Sequence, residues 1–447
     1  MKIPFGNVLE KIRSSYWFVP AAMSLMAMAL STLMLYLDQR FANQSPADAW
    51  WLYGGGAEGA RVVLATIATA MISVTSVVFS ITIVALTLAA GQFGSRVLRN
   101  FMRDRANQVT LGTFIATFVY AMLVLRTVRG GEDAEFVPSL AMSMGVLLVF
   151  LSVGVLIFFI HHVASSIQAD SVVDEIALET EGAIDRLFPD EIGRQDPESS
   201  PPGGATQGSA RLPAGFDADA KPVRASRGGH LQVVEHENLM DLAVENDLVV
   251  RLCTRPGDFV VEGGIVAHVW KDGELAPELL DKVWGVFVLG RSRTLQQDAE
   301  FGIFQLVEVA VRALSSGIND PFTAMNCVDR ISSLFCRLSR RTFPRAERFD
   351  DDGHLRVLAD TTSFAGFVDA GFNQVRQNAG HSIAVLIRIL EALASIGAQA
   401  STREQRQVLE RHADLVLQAG LSHAPLEPDR RDLERAHGSA LRVITAT

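Results

Sequence analysis

Cysteine is scarce in this sequence, with three in 447 residues. Cys253, Cys327 and Cys336 stand at spacings that match no zinc pattern, so no zinc centre is expected and the three read as buried thiols. The short signatures of common enzymes are missing as well. There is no Walker-type glycine loop, no G-x-S-x-G and no H-E-x-x-H, and the His residues of the second half are scattered. An enzyme is therefore not expected, nor a metal or a cofactor. FDDDGH, from Phe349, has three acids and a glycine but lacks the later Glu of a calcium loop, and reads as a solvated turn. LGRSRTLQQD offers Arg291, Arg293 and Thr294, which read as salt-bridge partners of the domain surface before they read as a site for a phosphate or headgroup. The net charge is −10, which excludes nucleic acid as an expected partner.

Apolar residues are abundant and crowd into the first third of the chain. A hydrocarbon core of roughly 30 Å needs about 20 helical residues. Four runs meet that length, at 17–37, 61–90, 109–125 and 137–160. The first follows Lys11 and Arg13 like a secretory leader, but it is longer than the roughly 7–15 residues of a leader's apolar region and reads as a retained anchor. The Lys/Arg bias sets orientation. Lys2, Lys11 and Arg13 precede the first run, and Arg96, Arg99, Arg103 and Arg105 fill the link between the second and third. Both termini are thus expected in the cytoplasm of a bacterial cell, with the chain in the inner membrane and the lipid bilayer as its first partner.

The second run carries ATIATAMISVTSVVFSITIVALT, in which about a third of the residues are Ser or Thr. At about 100° per residue, Thr66, Thr69, Ser73, Ser76, Ser80 and Thr87 fall in one narrow stripe, with Thr75 and Thr82 almost opposite. A helix-packing face and a water-lined pathway both fit such a stripe. No Asp, Glu, Lys or His interrupts it, which argues against a proton relay or a tightly bound ion along it and permits a weakly selective pore. Arg96, Arg99 and Arg103 share a face beyond it, at the expected membrane–cytosol interface, and are read as headgroup anchors or a basic collar. His161 and His162 belong to the same interface at the end of the fourth run, as polar residues or as a pH-sensing pair.

The fold class expected is four transmembrane helices followed by a cytosolic α+β domain. Residues 1–162 form the membrane domain and 163–188 a helical stalk continuing the fourth span. Residues 189–229, rich in Pro, Gly and Ser, form a flexible linker, and 230–447 the cytosolic domain. Within the last, 230–270 reads as a small β module and 275–447 as mostly helical, with helices near 301–315, 364–377, 382–396 and 403–418 and a last one from about 429. ALSSGINDPFTA, from Ala313, combines a helix stop at Gly317, a cap at Asp320 and a restart at Pro321. Asn319 is not needed for that turn, so with Arg312, Asp320 and Thr323 it is expected to form an interface or a small anionic-ligand site.

RPGDFVVEGGIVAHV resembles the turn-and-strand pattern of lipoyl- and biotinyl-type domains, without the Lys those carriers present on a hairpin tip. The resemblance implies a docking or assembly unit and no covalent cofactor. VVFSITIVALTLAAGQFGSRVLRNFMRD, FFIHHVASSIQ, PGDFVVEGG and QDAEFGIFQLVEVAVRALSSGINDPFTA together resemble an uncharacterised family of bacterial predicted membrane proteins, domain of unknown function 2254. That family implies a topology and no activity. The function expected is an oligomeric channel or transporter for ions or small solutes, a homo-oligomer with a cytosolic assembly or gating domain. The alternative is a membrane-anchored scaffold or sensor that conducts nothing.

Overall fold

The computed structural model describes residues 17–41, 53, 55–93, 104–129, 136–166, 168–188, 212–360 and 362–446. Two compact units divide the chain, Met1–Val172 and Val173–Thr447.

The first unit contains helices α1 (Phe18–Phe41), α2 (Ala57–Phe93), α3 (Arg105–Leu125) and α4 (Ser139–Ser166). Each includes a stretch long and apolar enough to cross a membrane. They run alternately up and down, as four contacts require. Asp38, near the end of α1, accepts from the backbone N–H groups of Leu140 and Ala141 at the start of α4, at 2.8 and 2.9 Å. Arg61, near the start of α2, donates to the Val128 carbonyl just past α3, at 3.3 Å. Asp104 and His162 join the start of α3 to the end of α4 at 2.5 Å. Thr117 and Ser152 meet midway, at 3.1 Å. α3 is the central helix. Gly112 lets α1 cross it closely, since a Cβ there would sit 2.5 Å from the Met23 sulfur. The core includes Leu64, Phe114, Tyr120, Met142 and Phe159. Leu147, Phe150, Leu151 and Ile157 are exposed on α4, as suits a surface whose solvent is lipid.

The helix after the fourth span is not its continuation. Gln168 lies in a bend, and α5 (Ala169–Leu187) begins beyond it. From Val173 on, α5 belongs to the second unit, so most of the expected helical stalk is a helix of that unit. Its Asp174, Glu181 and Asp185 pair with Arg330, Arg337 and Arg341 at 2.5–2.7 Å.

The second unit continues with α6 (Phe216–Asp219), β1 (Lys221–Arg224), β2 (Gly229–Val234), α7 (His236–Glu245), β3 (Val249–Leu252), β4 (Phe259–Val260), β5 (Ile265–Trp270), α8 (Pro277–Gly285) and β6 (Phe287–Gly290). Then come α9 (Glu300–Ala313), α10 (Pro321–Leu338), β7 (Glu347–Phe349), β8 (Leu355–Leu358), α11 (Phe364–Asn378), α12 (Ile383–Gly397), α13 (Arg403–His423) and α14 (Glu427–Thr445). Part of the expected linker is therefore structured. Residues 212–229 hold a helical turn and an edge strand, while 189–211 lie outside the described residues. One sheet has the order β1-β5-β3-β8-β7 and the other β4-β2-β6. The strands of 230–270 are thus divided between two sheets that also take strands from 287–290 and 347–358. The β3–β8 pair is parallel and the other strand pairs antiparallel. FDDDGH is the tight turn joining β7 to β8, held by Asp350 accepting from the His354 N–H at 2.8 Å.

Candidate functional site

The hydroxyl stripe keeps its angular order but faces away from its own bundle. Thr66, Thr69, Ser73, Ser76, Ser80 and Thr87 are all exposed. The buried face of α2 is Ala60, Leu64, Met71, Thr75, Val78 and Thr82, and it lies roughly half a turn from the stripe. Thr66, Ser73, Ser76, Ser80 and Thr87 each donate to the carbonyl four residues back, at 2.7–3.0 Å, so the helix itself satisfies them. Among the described residues no other span covers the stripe.

Of the expected interface residues, Arg96, Arg99 and Arg103 lie outside the described residues. His161 is exposed. His162 turns inward, stacks on Phe158 with centroids 5.6 Å apart and meets Asp104. The two histidines thus have different surroundings.

Sequence reasoning missed the polar groups inside the bundle. Asn107, Thr110, Thr113, Thr117 and Tyr120 occupy one broad face of α3, all at most 6% exposed. Asn107 and Thr110 are buried with both amide atoms and the hydroxyl unpartnered. Thr117 donates to the Thr113 carbonyl at 2.9 Å, and Tyr120 donates to the Ala141 carbonyl at 2.9 Å. Asp38, 8% exposed, caps α4 from another helix. The spacing of Thr110, Thr113, Thr117 and Tyr120 by three, four and three is the signal that could have found this face.

In the second unit two quoted motifs meet. Asp298, at the head of α9, binds Arg293 through both oxygens at 2.8 and 3.0 Å and accepts from the Phe301 N–H at 3.1 Å. Arg293 lies over the rings of Phe304 and Phe301 at 4.7 and 5.5 Å. Arg255 of the Pro-Gly-Asp turn reaches Glu300 at 3.0 Å. Burial pushes the Glu300 carboxyl up, and Arg255 and then Arg293 oppose that shift. Gly257 has φ +102°, and a Cβ on it would sit 2.5 Å from Asp298, so only glycine suits that turn. Gln297 both donates to and accepts from the Val234 backbone, at 3.0 and 2.9 Å. Arg293 is therefore an ion-pair partner, but an internal one and not the surface partner expected; Arg291 is exposed.

α9 ends at Ala313, short of the expected stop at Gly317, while the cap at Asp320 and the restart at Pro321 are as expected. Asp320 accepts from Phe322 N–H and Thr323 N–H at 3.1 Å and from the Thr323 hydroxyl at 2.6 Å. These bonds, the Thr323 hydroxyl first, hold the Asp320 carboxyl below its ordinary range. Asn319 has φ +52°, a conformation Asn tolerates better than most side chains, so the turn does need it. Arg312 pairs with Glu308 at 3.5 Å. The turn also exposes Ile318 and Phe322, at 43% and 77%. Cys327 is buried, but Cys253 is exposed, its thiol 3.1 Å from His268 Nδ1; Cys336 is intermediate. No group of three or more His, Cys, Asp or Glu with metal-holding geometry occurs among the described residues.

Four candidate spans joined to a mixed helix-and-sheet unit define a polytopic membrane protein. The description "predicted membrane protein (DUF2254)" matches residues 13–395, and the chain belongs to that family. Uncharacterised proteins of Mycobacterium bovis and of two Mycobacterium tuberculosis strains are each 31% identical to it, over 98% of this chain and 82% of theirs. No solved structure matches.

Proposed function

We propose that copies of this chain associate through α2 into an oligomeric channel or transporter for ions or small solutes. The second unit serves as its assembly or gating domain, and the exposed turn of Ile318, Asn319 and Phe322 as one contact between copies. The observation that carries this is the outward hydroxyl stripe. A face of six Ser and Thr side chains gains nothing from lipid tails, whereas around an axis between copies it meets water or another hydroxyl face. The self-satisfied hydroxyls favour the second reading, a scaffold in which two such faces pack dry.

Flux of potassium or chloride into proteoliposomes separates the two. Ser76→Leu and Ser80→Leu are expected to reduce it while leaving oligomer size in detergent unchanged. Ile81→Leu, exposed on another face, is expected to leave both unchanged. A wild-type protein that passes neither ion under voltage overturns the ion pathway between copies.

The same reading places the chain in the bacterial inner membrane, with both termini and the start of α3 in the cytoplasm. In a cysteine-free background, Cys at Glu58 or Arg129 is expected to react with an impermeant thiol reagent applied to intact cells, and Cys at Arg105 is not. All three positions are exposed. The reverse pattern inverts the topology.

A further inference from the structure

A buried amide with no partner is costly anywhere and more so at membrane depth, where no bulk water reaches it. Asn107 is 2% exposed and Thr110 is 1% exposed, yet neither Asn107 amide atom nor the Thr110 hydroxyl has a hydrogen bond among the described residues. An Asn offers one acceptor and two donors, and a Thr offers both kinds. Water is the species small enough to satisfy all of these, and it needs two to four polar partners to stay.

The neighbours extend this pair in both directions. One turn earlier stand Asp104 and His162, joined at 2.5 Å with side chains 24% and 28% exposed, so that end meets solvent. One turn and two turns further on come Thr113 and Thr117, then Ser152 at 3.1 Å from Thr117. Next is Tyr120, on the Ala141 carbonyl, and the Ala141 N–H in turn donates to Asp38. α2 adds two buried hydroxyls, Thr75 and Thr82. Side chains three or four residues apart on a helix lie about 5–6 Å apart at Cβ. One water bonded at about 2.8 Å on each side spans that gap.

We propose that the interior of each four-helix bundle is a hydrated proton path, running from Asp104 and His162 past Asn107, Thr110, Thr113 and Thr117 to Tyr120 and Asp38. It goes beyond the pathway between copies and does not depend on it, because every group named lies in one chain. A proton arrives at the Asp104–His162 pair from solvent. Each water or hydroxyl in the file accepts one proton and releases another to the next; the Ala141 peptide does not relay, so Tyr120 hands its proton to a water beside Asp38, from which one proton leaves. No electron moves and no bond to carbon changes; rotation of the hydroxyls and waters resets the file. Asn107 holds and orients water without itself relaying. The titratable groups on this path among the described residues are Asp38, Asp104, Tyr120 and His162.

The full chain is reconstituted into liposomes containing a trapped fluorescent pH dye, and a potassium gradient with valinomycin sets the voltage. Internal pH is expected to change faster than in protein-free vesicles. Thr117→Val keeps the side-chain shape and removes the relay hydroxyl, and Asn107→Leu removes the water-holding amide; each is expected to slow the change about tenfold. Ser76→Leu, on the outer face of α2, is expected to leave it unchanged even where it abolishes potassium or chloride flux. The proposal is overturned if wild-type vesicles respond like protein-free ones, or if Thr117→Val conducts like wild type. It is overturned too if Ser76→Leu slows the response as much as Thr117→Val does, since the protons would then be moving between copies. Should Asn107→Leu fail to fold, Thr117→Val alone decides.

Discussion

Replacing Asp298 with Ala is expected to destabilise the second unit by about 3 kcal/mol, in the range for a buried ion pair that loses one partner. Asp298 performs two tasks at once. Its carboxylate holds the Arg293 guanidinium at two points and accepts from the Phe301 N–H in the first turn of α9. Its side chain is 4% exposed and that of Arg293 is 18% exposed, so the stranded guanidinium cannot recover full hydration. Glu300, 4.0 Å from Arg293, is the remaining acid, but Arg255 already engages it at 3.0 Å. Asp298→Asn should cost less, because an amide oxygen still caps the helix. Combining Asp298→Ala with Arg293→Met should recover part of the loss, since an apolar chain between two Phe rings needs no counter-charge. Urea unfolding of the full chain in detergent, followed by the fluorescence of Trp270 and Trp284 with the other three Trp replaced by Phe, measures all three. A loss under about 1 kcal/mol for Asp298→Ala would mean the pair is as weak as a surface bridge.

Asp298 was legible in the sequence as part of a distinctive motif, and Arg293 as a salt-bridge partner. Their pairing was not, because pairing is a property of the folded turn. The same division runs through the molecule. Run length gave the four spans, since the requirement for about 20 apolar residues is one-dimensional. The ends were harder to read: α2 extends to Phe93 and α3 begins at Arg105, because a helix continues past the apolar run wherever caps such as Asp104 permit. Angular arithmetic grouped six hydroxyls on α2 but could not tell inside from outside. On a helix that is apolar on its other faces, periodicity leaves the packed side undetermined. Asp38 ends an apolar run like any loop acid, and the two N–H groups it serves lie about a hundred residues away. Asn319 looked dispensable because a sequence does not display the sign of φ. The division of the strands between two sheets escaped notice for a related reason. β8 joins β3 across about a hundred residues, and local alternation carries no information on such a pairing.

Gly302→Val is expected to destabilise the second unit strongly, and at Gly302→Ala two opposing effects make a decisive test. Gly302 lies inside α9, where propensity alone favours replacing glycine by Ala by about 1 kcal/mol. Against this stands Thr180 of α5, fully buried, whose hydroxyl donates to the Ile176 carbonyl at 2.6 Å. A Cβ on Gly302 would fall 1.9 Å from the Thr180 Oγ1 and 2.7 and 2.8 Å from its Cγ2 and Cβ. No rotamer of Thr180 relieves a clash that includes its own Cβ, so the two helices must separate. Overpacking typically costs about 1–3 kcal/mol. Gly302→Ala should therefore destabilise by about 1–2 kcal/mol despite its better helix propensity, and the two further methyl groups of Val should cost about 3 kcal/mol or more. Thr180→Ala removes the hydroxyl and methyl but leaves the Cβ, and should rescue Gly302→Ala in part. The double variant should then be more stable than the sum of the single effects by about 1 kcal/mol. The same Trp fluorescence reports each unfolding. If Gly302→Ala stabilises the unit, helix propensity has won and α5 does not approach α9 this closely.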